Sequence, residues 1–576
     1  MKTIHLQQLR LAICQLSFIL MVALPLVTFP ADSIYGRYLP DILAFTGLGF
    51  WGLLTTLQPE TKKQALHVNG LGMLTGFWAL LIAAQYVFGL IPTSVAFTLL
   101  GIGYLLSAML VGMLVRIWVN AGFEHELLHA FLLAVGVVAV LNATVILIQA
   151  SPWIKYVVPF IEQGNPNRPG GIISQANIAG TWCVCGLIAL VFLSQGSNRT
   201  AAPISAWRMA VMVWLLLAIN ISMSRIVLLE VVAVSVLCAV FKRKLQVHWV
   251  WSWLPLWQAL IHYSLKYLWH VFQPLKHFSD ANIYQRFTES NQSRIDIYSA
   301  VIETIKEHPL VGIGWRQFQW VHISRPELDT IFDHAHNLLL HIQLELGLAG
   351  SLSLLAFFIY AFKQIHIWST EKPSVAVGLM MALVFGMHSM TEYPLWYAPS
   401  LFAFCVAVAF VFDKPVVSFK CPAWFVQVLF ALHLSVVIWV YMDHKHANEK
   451  LGKFITGSSS PTSPERPSFW FKTYDDFIEV NGADIRETNV EQYQSKVINL
   501  TNFLTPAIPL HNLLKIYVFS HQEEKAKGLA ERICRMNPAL WQKILVWHLT
   551  QGPDTMKKWI LDLNKDVIDC ESAHPH

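Results

Sequence analysis

The sequence predicts an all-α polytopic membrane protein, a bundle of about thirteen spanning helices carrying a small water-soluble helical tail. Three observations predict it. Only 13% of the 576 residues are charged, against roughly 25% in an average soluble protein. Those charges are unevenly placed: 33 of the 77 (41 basic, 36 acidic) follow residue 442. Before that point, apolar runs of about 20 residues recur, the length that crosses a bilayer core. Together with 55% hydrophobic residues, this excludes an ordinary soluble enzyme and equally a disordered, collagenous or disulfide-scaffold chain. The net charge of +5, with no basic tract longer than Lys242-Arg243-Lys244, leaves no nucleic-acid footprint.

Taken in order, Lys2 and Arg10 precede an apolar stretch from Leu11 to Phe29 that lacks a small-residue cleavage site, so it reads as a retained signal anchor. Further spans are expected at 39–57, 69–90, 95–117, 127–150, 177–194, 208–222, 226–241, 248–270, 338–362, 374–391, 399–412 and 423–441. With the N-terminus inside, every short inner loop is basic: Lys62-Lys63, Arg116, Arg199 with Arg208, 242–244, Lys363 with Lys372, and Lys414 with Lys420. An odd number of spans exports the tail. Residues 1–442 thus form a membrane domain with a polar outer insert at 271–337. A Ser/Pro-rich linker at 443–464 and a helical domain at 465–576 follow, the latter punctuated by Asn537-Pro538 and Gly552-Pro553. Cys534 and Cys570 lie in the exported part, where an oxidising compartment permits a disulfide. Cys183 and Cys185, inside an apolar run, read as buried thiols rather than metal ligands.

Charges kept beside an apolar layer are costly and mark sites. On the outer side these are Arg225, between two apolar runs; Arg294, followed by a glycine turn at Gly312 and Gly314; and His334, Ala335 and His336 before Asn337, which suits a helix N-cap. Arg168, Glu392 and Tyr393 occupy the remaining outer turns. Two histidines at i, i+2 with no acidic or cysteine partner at familiar spacing predict proton handling rather than a metal.

In order and spacing, Ser224-Arg225, Arg294, His308-Pro309-Leu310-Val311-Gly312-Ile313-Gly314, His336-Asn337-Leu338 and Glu345-Leu346-Gly347 resemble the Wzy_C superfamily of O-antigen ligases and polymerases. Arg168-Pro169-Gly170-Gly171, Gln175-Ala176-Asn177-Ile178-Ala179-Gly180 and Glu392-Tyr393-Pro394-Leu395 with Tyr397 are similar to its PglL-type protein O-oligosaccharyltransferases, the pilin glycosylation ligases. The resemblance implies a GT-C-like enzyme of the bacterial inner membrane. It would move a preassembled glycan, without metal or other cofactor, from undecaprenyl pyrophosphate to a Ser or Thr hydroxyl of a periplasmic protein such as a pilin. Arg225, Arg294 and His336 match the family's essential residues, and Arg168, Gln175, Asn177, Asn337, Glu392 and Tyr393 are expected to bind substrate. The alternatives are an O-antigen ligase acting on lipid A core or a glycan polymerase and, more remotely, a transporter of polyprenyl-linked glycan.

Overall fold

The computed structural model describes residues 2–27, 38–61, 65–91, 94–157, 161, 165, 168–193, 204–272, 292–323, 333–365, 371–412, 414–457, 466–501 and 507–565. Lys62, Lys63, Arg199, Cys570, residues 458–464 of the Ser/Pro linker and parts of the insert lie outside them.

Among the described residues 80% are helical, as the apolar runs require. Helices stand at all thirteen expected places: α1 (Lys2–Val27), α2 (Tyr38–Leu57), α3 (Gly70–Val87), α4 (Val95–Asn120), α5 (Glu124–Gln149), then, after a turn α6 (Ile154–Val157), α7 (Ala176–Phe192), α8 (Ala206–Ser222), α9 (Arg225–Phe241) and α10 (Leu254–Phe272). The insert contributes α11 (Gln292–Glu307) and α12 (Phe318–Ile323). The bundle resumes with α13 (Leu338–Gln364), α14 (Pro373–Ser389), α15 (Ala398–Val411) and α16 (Ala423–Ile455).

Seven of these, α1–α5, α13 and α16, are long and apolar enough to cross a membrane individually, while α7, α8, α14 and α15 are shorter apolar helices of 14–17 residues. At 1.5 Å per residue such helices reach only about 21–26 Å, short of a ~30 Å hydrocarbon layer. They can be short because protein surrounds them. All but one residue of α7 is buried, and it packs against α5, α8, α9 and α14. Close approach here depends on small residues, as expected where lipid supplies no hydrophobic drive between helices. A Cβ on Gly180 of α7 would meet Val227 of α9 at 2.7 Å.

Two features were not anticipated. Leu66–Val68 (β1) pairs antiparallel with Val417–Phe419 (β2), bringing two distant inter-helix connections together. Helix α16 does not stop at the apolar run but continues to Ile455, 33 residues in all. Its polar end therefore belongs to the tail, where Ala447 and Leu451 are buried in the tail's core. The tail itself is α17 (Lys472–Gly482), α18 (Val490–Thr501), α19 (Ala507–Phe519), α20 (Glu523–Met536), α21 (Pro538–Gln551) and α22 (Asp554–Lys565). Cys534 is disulfide-bonded, whereas Cys183 and Cys185 are buried free thiols, as their apolar surroundings predict.

Candidate functional site

Residues from five segments converge at one mouth of the bundle. Arg168 donates from Nη2 to Asn177 Oδ1 at 2.8 Å, and Asn177 donates from Nδ2 to Glu392 Oε1 at 2.9 Å. The same Glu392 oxygen lies 4.0 Å from Arg294 Nη2, while Glu392 Oε2 lies 3.7 Å from His336 Nδ1. Nδ1 of His336 also faces Thr391 O at 3.1 Å and His334 Nε2 at 3.1 Å. An imidazole nitrogen ringed by a carboxylate, a carbonyl and a second imidazole is suited to hold a proton.

The backbone is bent to achieve this. His336 has φ 48, and Ser174, Met223 and Arg316, which flank the same mouth, have φ 61, 54 and 60. Left-handed backbone at non-glycine residues costs energy and gathers at functional sites. Asn337 then starts α13 by accepting from Leu339 N and Leu340 N, and Tyr298 donates its hydroxyl hydrogen to His336 O. Asp333 Oδ1 holds His334 Nδ1 at 2.6 Å. Partial burial would raise the Asp333 carboxyl, but the hydrogen bond and charge of His334, with Arg316 beyond, outweigh it and hold the group at about 2. Burial lowers the His334 imidazole, against the upward pull of Asp333.

The glycine motif of the insert is a docking device rather than a phosphate loop. Gly312 (φ 74) lies against a break in α13 at Gly347 (φ 65, ψ -160). Ile313 N donates to Leu344 O, Gly314 N to Glu345 O, and Leu348 N to Leu310 O. A Cβ on Gly312 would meet Glu345 O at 2.6 Å, and one on Gly347 would meet Leu310 O at 2.4 Å, so both must be glycine for the backbones to touch. Gln85 of α3 completes the joint, donating to Val311 O and Glu345 O and accepting from Trp315 N. This joint fixes the insert, and with it Arg294, on the helix that begins beside His336.

One helical turn inward, a second polar layer ties three helices together. Thr181 of α7 donates to Glu230 of α9 at 3.0 Å and contacts His388 Nδ1 of α14 at 2.5 Å, and all three side chains are fully buried. His388 O in turn accepts from Thr391 N and Glu392 N. Beside the mouth opens an apolar cavity of ≈1100 Å³, framed by α2–α4 and α13–α16, with Arg316, Asp333, Tyr393 and Trp396 at its polar end. The Arg316 guanidinium stacks 4.3 Å over the Trp396 ring.

Of the residues singled out in the sequence, the structure brings together Arg168, Asn177, Arg294, His336 and Glu392. Tyr393 packs its ring 3.8 Å from His334. Gln175 and Asn337 are helix N-caps, with side-chain oxygens occupied by backbone N–H groups. Arg225 heads α9, five residues before Glu230. The two histidines have an acidic neighbour that no familiar spacing announces. Glu392, 56 positions beyond His336, joins them, so that one ligand atom from each of His334, His336 and Glu392 lies within 4.8 Å of the others. Thr181, Glu230, His388 and Arg316 were missed. Thr181 and His388 were readable from i, i+4 spacing, four residues after Asn177 and four before Glu392, whereas Glu230, five after Arg225, falls on another face of its helix.

Known proteins share this arrangement of sequence. Residues 210–355, which hold Arg225, Arg294 and His336, match the family described as O-antigen ligase (Wzy_C). Residues 376–549, which hold Glu392 and most of the tail, match that described as virulence factor membrane-bound polymerase, C-terminal (Wzy_C_2). The chain is thus similar to an O-antigen ligase family and to a membrane-bound polymerase family, whose matches hold Arg294, His336 and Glu392, while Arg168 and Asn177 precede both. The general O-oligosaccharyltransferase of Acinetobacter baylyi is 25% identical over 354 residues, covering 57% of this chain and 55% of that protein. The chain thus spans about half the length of the relative it matches. The resemblance to PglL-type proteins is borne out.

Proposed function

We propose that this protein transfers a preassembled glycan from a polyprenyl-pyrophosphate lipid, undecaprenyl pyrophosphate in a bacterial inner membrane, to a Ser or Thr hydroxyl of an exported protein such as a pilin. The observation that carries the reading is the Arg168–Asn177–Glu392 network with Arg294 and His336, set at the mouth of a large apolar cavity. The cavity suits a polyprenyl chain and the mouth suits its pyrophosphate. His336 Nε2 takes the acceptor hydroxyl proton as the oxygen attacks the anomeric carbon. The bond from that carbon to the pyrophosphate oxygen breaks, and the electron pair departs on the pyrophosphate. Arg225 and Arg294 hold that charge through forked N–H donors. Glu392 and Thr391 O stabilise the imidazolium that forms. With arginines supplying the positive charge, the step needs no metal. The N-terminus lies inside and the tail is periplasmic, consistent with basic inner loops and a bonded Cys534.

Glycoproteomics of exported proteins with and without the gene tests this, with loss of O-linked glycan from one or more proteins as the expected result. The family descriptions favour one second reading, a ligase or polymerase acting on lipid-linked glycan. Unchanged protein glycosylation beside altered lipopolysaccharide would establish it instead.

A further inference from the structure

The proton-holding pocket around His336 Nδ1 is built like a cation site. His334 uses Nδ1 on the Asp333 carboxylate, so its Nε2 lone pair points at His336. Glu392 spends Oε1 on Asn177 and Arg294, so Oε2 is the oxygen turned toward the histidines. Two imidazole nitrogens and a carboxylate oxygen thus converge, 3.1 and 3.7 Å apart along the chain of contacts and all within 4.8 Å. Bonds of ~2.0–2.2 Å in a tetrahedral shell place ligand atoms roughly 3.3–3.5 Å apart, so closure by about 1 Å at the widest pair completes three of four positions. The carboxylate behind His334 is the kind of partner that orients a metal-binding imidazole. Imidazole with one carboxylate favours zinc-class ions over magnesium or calcium.

We propose that His334 Nε2, His336 Nδ1 and Glu392 Oε2 bind one divalent ion of the zinc class, and that binding silences the enzyme. The inference rests on the role given to His336 above. A metal on Nδ1 leaves the ring proton on Nε2, and a protonated Nε2 cannot accept the proton of the acceptor hydroxyl. The ion therefore competes with the proton that catalysis requires at Nδ1, which makes the site inhibitory rather than catalytic.

The test uses the full chain in detergent, stripped with a chelator and titrated with zinc chloride or cobalt chloride. The visible spectrum of bound cobalt reads occupancy, and glycan transfer is measured on the same samples. The expected result is one ion per chain, with inhibition tracking occupancy. Binding should be at least about ten-fold weaker in His334→Ala and Glu392→Gln, and about 10–100-fold weaker in Asp333→Asn. Equal cobalt spectra in wild type and His334→Ala, or full occupancy without inhibition, would overturn the proposal. If the stripped enzyme is inactive and zinc restores it, the inhibitory site and the metal-free chemistry fall together. If no preparation transfers glycan, the functional reading falls, and the cobalt spectra of wild type and His334→Ala still decide the site.

Discussion

Among the described residues, two histidine pairs bring ring nitrogens to similar distances. At the mouth, His334 Nε2 and His336 Nδ1 are 3.1 Å apart; in the tail, His511 Nε2 and His548 Nε2 are 2.8 Å apart. Their surroundings are opposite. The mouth pair is bracketed by the carboxylates of Asp333 and Glu392. The tail pair is buried beside Lys515, whose ammonium sits over the Trp547 ring. Burial first, then Lys515, pushes His511 down to about 3 (with His548 adding) and His548 down to about 4. The difference teaches that residue type and spacing do not assign chemistry, since burial disfavours the charged ring in both places, and the carboxylate beside His334 opposes that effect where the ammonium beside His511 adds to it.

The comparison breaks most sharply at the mouth. His336→Ala is expected to lose about 10²–10⁴-fold in transfer rate with the protein still inserted and donor still bound. His334→Ala should lose less, because its ring touches Nδ1 of His336 rather than the acceptor. Near-wild-type transfer by purified His336→Ala would remove the distinction between the pairs. Arg225→Lys and Arg294→Lys keep the charge but lose the planar fork. Large losses are expected for both if they hold pyrophosphate, and little change if they merely reach toward the interface.

A smaller effect, about 10–100-fold, is expected from Thr181→Val, which uncouples the buried layer that fixes the turn bearing Thr391 and Glu392. The loss should fall on kcat more than on KM, and Thr181→Ser should restore it. A Thr181→Ser variant as impaired as Thr181→Val would show that packing, not the hydroxyl, matters there.

How much of this was legible follows from what kind of pattern each feature leaves. The thirteen helices were readable because lipid imposes long apolar runs. The His336 and arginine cluster was readable because charges beside such runs are rare. Glu392 as a neighbour of His336 was not, since the two are joined only when the end of α14 meets the head of α13. The glycines at 312 and 314 read as a turn, yet Gly312 with Gly347 marks a backbone-to-backbone joint visible only in three dimensions. Gln175 and Asn337 cap α7 and α13, and the cap at Asn337 was legible in the sequence. A polar residue at a helix mouth invites a binding role, but the four unpaired N–H groups of a helix start claim its side chain first.

Among the contacts that join the tail to the insert, one buried hydrogen-bonded group tests whether the tail does more than sit outside. Arg532, fully buried, donates from Nη1 to His322 O and Ile323 O at the end of α12. Arg532→Ala leaves two carbonyls without their donor, at a cost of about 1–3 kcal/mol each. Tail and insert should then become protease-sensitive together while transfer to a short peptide remains detectable. Deletion of 457–576 should follow the same pattern. Complete loss of transfer with the bundle intact would give the tail a chemical role.

The smallest effect concerns the tail histidines and pH. Their proton affinity is depressed in the folded state, so the unfolded chain binds more protons between its ordinary value near 6.5 and the folded values of about 3 and 4. Stability of α19 and α21 is therefore full above about pH 6.5 and declines as the pH falls toward 4. Limited proteolysis within 507–551, with protease activity calibrated at each pH, should show faster cleavage at pH 5 than at pH 7. The double variant His511→Asn, His548→Gln should flatten that dependence. A wild-type tail equally resistant at both values would mean that the pair is hydrated and free to titrate, and the contrast with the mouth would then rest on Asp333 and Glu392 alone.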